Sequence, residues 1–281
     1  MAGKLKESLG ISEVTSKNNN LWRALVAEFL GNVILNFFGC ASVVNIAANT
    51  EDSSPNIVLI ALTFGLAIFA IVHTIGHVSG GHVNPAVTVG MLVTGNIKVA
   101  KGILYIIVQC LGALAGSGLL KAITPEQYQL KLGKTGLGLD VSPVQGMGME
   151  FFLGFILVLV VFGVCDKNRP EAKFAGPLAI GLTVTLGHLA AVDYTGSSMN
   201  PARSFGSAVI VGEFEDHWVY WVGPCLGGIA AALIYTYIFS APSSNIVITT
   251  TTVERYQSVQ ADEKELKRLD GSGSKNDVNL P

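Results

Sequence analysis

Charge is what this chain has least of. Lysine, arginine, aspartate and glutamate make up 38 of 281 residues, or 14%, against roughly 25% in ordinary soluble domains. No Asp, Glu, Lys or Arg occurs from Ser53 to Ile97, Gly102 to Leu120, Phe174 to Val192, or His217 to Val253. A soluble globule cannot cover its surface with so little charge, and a disordered chain cannot be this apolar, so both classes are excluded. The net charge of -2 is small and scattered, which argues against a nucleic-acid partner or a strongly polybasic membrane anchor. Cysteine is also scarce. Cys40, Cys110, Cys165 and Cys225 lie in or beside apolar runs, with no CxxC and no metal-ligand spacing. They read as buried free thiols, with no disulfide framework and no metal site. The first twenty residues are polar and lack an apolar core, so the reading expects no cleavable signal peptide, and the first apolar helix serves as its own targeting signal.

What is present is hydrophobic. Half of the residues are apolar and the mean hydropathy is +0.50. Six spans of ~20 residues and two segments of half that length would absorb about that many. Apolar runs bounded by charge or turn residues place spans near 21–46, 57–76, 99–122, 147–166, 174–193 and 217–240. Two further stretches, 84–94 and 200–210, are too short to cross. Segments of that length at membrane depth are re-entrant, and irregular backbone beside them is tolerated only where protein buries it or a cavity is lined.

The elements repeat. Ala27-Glu28-Phe29-Leu30-Gly31 opens the first span and Met149-Glu150-Phe151-Phe152-Leu153-Gly154 opens the fourth, while Asn84-Pro85-Ala86-Val87-Thr88 recurs as Asn200-Pro201-Ala202-Arg203-Ser204. Each half therefore reads span, span, short segment, span. Three crossings per half leave the second inverted relative to the first, and such repeats set their functional site near the midplane. The predicted fold class is an all-α membrane protein with six transmembrane helices and two re-entrant half-helices in an inverted 3+3 repeat. The segments are 1–20, N-terminal; 21–240, channel-forming, with repeats at about 21–122 and 147–240; and 241–281, a polar tail predicted to be mostly disordered, with a short surface helix over Ala261 to Asp270.

Basic residues cluster at the N-terminus (Lys4, Lys6, Lys17, Arg23), between spans two and three (Lys98, Lys101), between four and five (Lys167, Arg169, Lys173) and in the tail, whereas the connection after the first span carries Glu51 and Asp52. That bias predicts cytoplasmic termini. Lys121, Lys131 and Lys134 on the opposite side run against it.

Proline is favoured at the first position of a helix and asparagine caps well, so each Asn-Pro-Ala reads as a helix start. Two copies at corresponding places of an inverted repeat are far more specific than one. With Gly76-His77-Val78-Ser79-Gly80-Gly81-His82-Val83-Asn84-Pro85-Ala86 and Asp193-Tyr194-Thr195-Gly196-Ser197-Ser198-Met199-Asn200-Pro201-Ala202-Arg203, the chain over roughly 20–240 resembles the aquaporins, specifically the water-selective channels of animals. The resemblance implies two half-helices meeting at their asparagines around a narrow pore, in a homotetramer whose protomers each conduct, in the plasma membrane. Water is the permeant and lipid the surroundings; no cofactor and no chemical step are implied.

Physics supplies part of the expected mechanism. Two helix N-termini meeting head to head each carry roughly half a positive charge and repel cations; half-helix dipoles and arginine are the general explanation of proton exclusion in pores of this type. The Asn84 and Asn200 oxygens cap their helices, which leaves the amide N–H groups to orient a passing water. The extended segments Gly80, Gly81, His82, Val83 and Gly196, Ser198, Met199 are expected to turn backbone carbonyls into the lumen. Carried over from the family, the outer constriction falls on Phe64, His188, Ser197 and Arg203, and the pore-loop supports on Glu28 and Glu150. An arginine in an apolar membrane segment is itself a sign of function. A catalytic carboxylate pair finds neither nucleophile nor metal beside it. His77 and His82 are expected at the inner vestibule and His73 in simple packing. His188, with Ser204, Ala208, Tyr220 and Trp221, matches the water-selective pattern; Ser197 stands where mercury-sensitive relatives have cysteine, so mercurial block at the constriction is expected to be absent. Two other readings stay open: an aquaglyceroporin-like channel for small neutral solutes, and a membrane junction protein with the same fold.

Overall fold

The computed structural model describes residues 9–11, 20–44, 46, 56–242, 260, 262, 265 and 266. By its internal contacts the chain divides into two compact units, Met1–Ala241 and Pro242–Pro281. In the second, Gln260, Asp262, Glu265 and Leu266 are helical; the expected disorder of the tail lies outside the described residues.

Eight α-helices order the first unit from residue 21 on: α1 Leu21–Ala41, α2 Ile57–Ser79, α3 Pro85–Val93, α4 Val99–Ile123, α5 Pro143–Cys165, α6 Ala172–Thr195, α7 Pro201–Val211 and α8 Val219–Ile234. Among the described residues there is no strand. Six helices among the described residues are long and apolar enough to cross a membrane, the last with the π-turn Tyr235–Phe239 that continues α8. Helices α3 and α7 have only 9 and 11 residues, about 14 and 17 Å at 1.5 Å per residue, and so reach only about half-way across a ~30 Å core.

Local chemistry sets the boundaries. Helix α5 starts four residues earlier than the apolar run suggested, because Ser142 and Gln145 form a reciprocal capping box with Pro143 at the first position. Helix α2 runs three residues past its expected end, stopping where Gly80 turns left-handed. Helix α1 ends at Ala41, short of the expected residue 46. Past the π-turn, Asp166 accepts from the Tyr235 hydroxyl and the Ala241 amide, both at 2.9 Å, and this staples the connection after α5 to the end of the sixth span. The Ala241 and Asn168 amides hold the Asp166 carboxyl below the usual carboxylate range.

Packing repeats as the sequence does. Helix α1 lies on α4 as α5 lies on α8, and α2 crosses α6. Each half-helix rests on the last span of the other half, α3 on α8 and α7 on α4. With no hydrophobic force between helices in lipid, close backbone approach through small residues drives such contacts. Gly112 and Gly116 abut the Phe29 and Val33 carbonyls, and Gly227 and Gly228 the carbonyls of Phe151 and Ala86, so a Cβ at any of these would clash with backbone. Across α2 and α6, Gly181 leaves 2.6 Å between its would-be Cβ and the Gly65 carbonyl.

The cysteines are free, as expected, but only Cys40 is fully buried. Cys110 and Cys225 are partly buried, and Cys165, the last residue of α5, is exposed because the chain leaves the bundle there.

Candidate functional site

The two half-helices meet at their N-termini. Asn84 and Asn200 are both extended and buried. The Asn84 oxygen accepts from the Ala86 amide at 2.8 Å, and the Asn200 oxygen from Ala202 at 3.0 Å and Arg203 at 3.2 Å. Pro85 and Pro201 occupy the first helical turn, where a missing N–H costs nothing. The amide nitrogens reach across: Asn84 Nδ2 donates to the Met199 carbonyl at 2.9 Å, and Asn200 Nδ2 to the Val83 carbonyl at 2.8 Å. The expectation that both N–H groups of each amide are left to water is thereby corrected. One of each braces the opposite half-helix, which leaves one per asparagine free to donate.

That exchange also separates the expected ladder of carbonyls. Val83 and Met199 accept from the asparagines, while among the described residues no donor reaches the carbonyls of Gly80, Gly81, His82, Gly196, Ser197 or Ser198. The backbone is unusual beyond its glycines: Val83, Ser197 and Met199 hold φ of 49, 47 and 57°. For a residue with a Cβ this left-handed region costs roughly 1–2 kcal/mol, so neighbouring bonds must enforce it.

Two buried carboxylates do so. Glu28 accepts from the amides of His82 at 2.9 Å and Val83 at 2.6 Å, from Ser79 Oγ at 2.7 Å and from Gln109 Nε2 at 2.8 Å. Glu150 accepts from the amides of Ser198 at 2.8 Å and Met199 at 2.9 Å and from Thr195 Oγ1 at 2.6 Å. Ser79 and Thr195, His82 and Ser198, Val83 and Met199 are related by the same interval as Asn84 and Asn200. Each carboxylate satisfies buried donors that would otherwise be orphaned.

At the expected constriction, the Phe64 and His188 rings stack with centroids 4.3 Å apart, and the Arg203 guanidinium carbon lies 4.8 Å from the Phe64 centroid. Phe64, His188 and Arg203 are at most 2% exposed, and Ser197 not at all. Arg203 Nη1 donates to the Gly133 carbonyl at 2.7 Å, and His188 Nδ1 pairs with the Val184 carbonyl at 2.9 Å. Among the described residues, three buried polar atoms here have no partner: His188 Nε2, Ser197 Oγ and Arg203 Nε. The four residues named from the family thus come from α2, α6, the segment after α6, and α7.

Several supporting residues were not among those the sequence singled out. Asn36 Nδ2 donates to the Arg203 carbonyl at 3.1 Å and to Ser117 Oγ at 3.0 Å. Tyr105 donates to the Ser79 carbonyl at 2.7 Å. A hydroxyl chain runs from Thr135 to Ser204 at 2.8 Å and on to Ser198 at 2.6 Å. Asn36 and Gln109 were findable as polar residues in apolar spans, a costly placement that marks function; Gly133 and Thr135, in a long connection, were not. His82 pairs its ring with Thr88 at 3.1 Å beside the first half-helix. His77 is exposed near the end of α2, and His73 is exposed with its ring 5.9 Å from that of Phe69.

A family model described as major intrinsic protein matches residues 14–235. The chain is 44% identical over 253 residues to aquaporin FA-CHIP of Pelophylax lessonae, covering 86% of this chain and 93% of that protein. It is 45% identical over 218 residues to aquaporin-4 of Mus musculus, covering 78% of this chain and 68% of that one. Among solved structures, the X-ray structure of the aquaglyceroporin from Plasmodium falciparum superposes with a TM-score of 0.69 at 24% identity, covering 78% of this chain and 97% of that one. At that identity the likeness shows the fold alone.

Proposed function

Because the chain belongs to the major intrinsic protein family, the aquaporins, and is a multi-pass membrane channel rather than an enzyme, we propose that it is a water-selective pore driven by osmotic gradients. The observation that carries the reading is the constriction, where a stacked Phe64–His188 pair faces Arg203 and leaves three buried polar atoms unpaired. An orphaned buried polar group costs about 1–3 kcal/mol, and water passing in single file removes that cost at each of the three. An apolar tube without such groups would instead charge each water its dehydration. Farther in, the unpaired carbonyls of Gly80, Gly81, His82, Gly196 and Ser198 supply acceptors, and the free amide protons of Asn84 and Asn200 supply donors. A water oxygen accepting from both asparagines turns its hydrogens outward along the pore, which interrupts a proton wire, and the two helix N-termini repel cations. His188, where glycerol-conducting relatives have a small residue, closes the opening to larger polyols.

The same reading includes a homotetramer in the plasma membrane with both termini cytoplasmic. The Lys and Arg bias supports the orientation, and the family resemblance supports the assembly.

Vesicles reconstituted with the purified protein test the reading by light scattering. The expected result is osmotic shrinkage far faster than in lipid alone, with a low activation energy, and no response to an isotonic glycerol gradient beyond that of lipid. Lipid-like water flux would refute it. A related prediction concerns thiols. Ser197 is buried at the constriction, and Cys40, whose thiol approaches the Gly133 carbonyl that Arg203 also uses, is fully buried. Mercurials are therefore expected to leave wild-type flux largely intact and to block Ser197→Cys, with recovery after a reducing thiol. Equal block of both would show that another thiol controls the pore.

A further inference from the structure

The guanidinium of Arg203 has one protein acceptor among the described residues, the carbonyl of Gly133 at 2.7 Å. That carbonyl belongs to the connection between α4 and α5, an exposed stretch in which Leu132, Gly133 and Thr135 alone dip into the protein over 131–136, apart from the half-buried Lys134. Leu132 is only 2% exposed, packed with Cys40 and Leu120 and flanked by Phe37, Ala41, Val44, Ile210 and Val211. This small apolar cluster is separate from the main core and joins the end of α1, the end of α4 and the end of α7. The backbone is bent to reach it, with φ of 39° at Leu132 and 71° at Gly133. Gly133 has no room for a side chain: a Cβ there would lie 2.6 Å from Cys40 Cβ. Cys40 Sγ approaches the same carbonyl at 3.9 Å.

We infer that Leu132, seated in the pocket formed by Cys40 and Leu120, is a specificity-determining positioning residue that fixes Arg203 at the constriction through the Gly133 carbonyl. This rests on the reading of the constriction as a selectivity site. The physical reason is leverage. A left-handed backbone is strained at any residue with a Cβ, Leu132 included, and burial of the leucine side chain offsets that strain. The apolar contact thus holds the backbone in the one conformation that aims Gly133 at Arg203. Without the anchor the connection relaxes to ordinary φ, the carbonyl moves off, and the guanidinium, its Nε already unpaired, follows other acceptors away from the pore axis. Neighbouring contacts limit the displacement: Thr135 to Ser204 at 2.8 Å, Lys134 paired with Glu213, and the Gly138 amide on the Tyr194 carbonyl at 2.8 Å. The rest of the pore therefore stays in place, and selectivity changes more than throughput.

The test compares wild type, Leu132→Ala, Leu132→Met and Gly133→Ala in vesicles, measuring water and glycerol permeability on the same preparations and the labelling of Cys40 by a maleimide. Leu132→Ala and Gly133→Ala are expected to raise the glycerol-to-water ratio about tenfold, the equivalent of about 1.4 kcal/mol of relative barrier, and to expose Cys40 to label. Leu132→Met, which conserves volume, should restore the wild-type ratio and protection. Gly133→Ala acts from the other side of the contact, so it serves if the first variant fails to fold. The inference is overturned if Cys40 becomes reactive while the ratio stays at the wild-type value, or if both permeabilities fall in parallel, as a merely structural role would give. Wild-type vesicles with lipid-like water flux would instead refute the reading beneath it.

Discussion

Alanine at Glu150 or at Glu28 is expected to reduce water flux to the level of lipid and to lower thermal stability more than any surface substitution. Glu150 accepts three hydrogen bonds and Glu28 four, from donors that are buried except for the part-buried His82 amide. Removing the acceptor strands two backbone N–H groups and at least one hydroxyl, at about 1–3 kcal/mol each. It also releases the left-handed residues that the carboxylate enforces, Val83 in one segment and Met199 in the other. The expected loss, on the order of 3–9 kcal/mol, is a large part of a typical total of about 5–15 kcal/mol. Glutamine keeps one acceptor oxygen but turns an amide donor toward a backbone N–H, so Glu150→Gln should fall between wild type and alanine. Thermal melts in detergent and flux on the same preparations check this order. An alanine variant with wild-type melting and wild-type flux would show that the carboxylates do not hold the pore segments.

His188→Ala is expected to open the pore to glycerol. The imidazole stacks on Phe64 with centroids 4.3 Å apart, and the Arg203 guanidinium lies against the same Phe64 ring. If these residues form the proposed filter, deleting the imidazole removes the bulk that would exclude a three-carbon polyol and leaves Arg203 and Ser197 to bind hydroxyl groups. Glycerol permeability should rise on the order of a hundredfold, a barrier decrease of about 2.7 kcal/mol at 1.36 kcal/mol per factor of ten, while water changes by about threefold or less. Water flux must change little because the donors and acceptors deeper in the pore are untouched. Paired measurements with water and glycerol gradients decide it, and unchanged glycerol exclusion would place the filter elsewhere.

How legible these features were depended on the range of the interaction. The two Asn-Pro-Ala starts needed only capping chemistry within a few residues, and both half-helices begin at the expected prolines. Gly112 and Gly116 sit four residues apart, on one face of α4, a spacing visible in the chain itself. Glu28 and Glu150 could be singled out as carboxylates opening apolar spans, but their donors lie about fifty residues downstream, and the sequence has no record of that distance. The free asparagine amides were misjudged for a similar reason. A local view shows each side chain capping its own helix, and only the facing half-helix reveals that one N–H is already taken.

By itself, the sequence determined the class of the molecule: scarce charge and long apolar runs leave a chain no stable place but a bilayer, and a repeat of three spans must invert because three is odd. It also determined where the short helices start, since proline and asparagine act through their own backbone. Only the tertiary structure decided how the pore is held open. Left-handed Val83, Ser197 and Met199, the cross-braced asparagines, and an arginine aimed by a carbonyl some seventy residues away each need partners from the other half or from a distant connection. Buried polar groups must be paired wherever a partner can be found, and in this protein the partners lie across the fold.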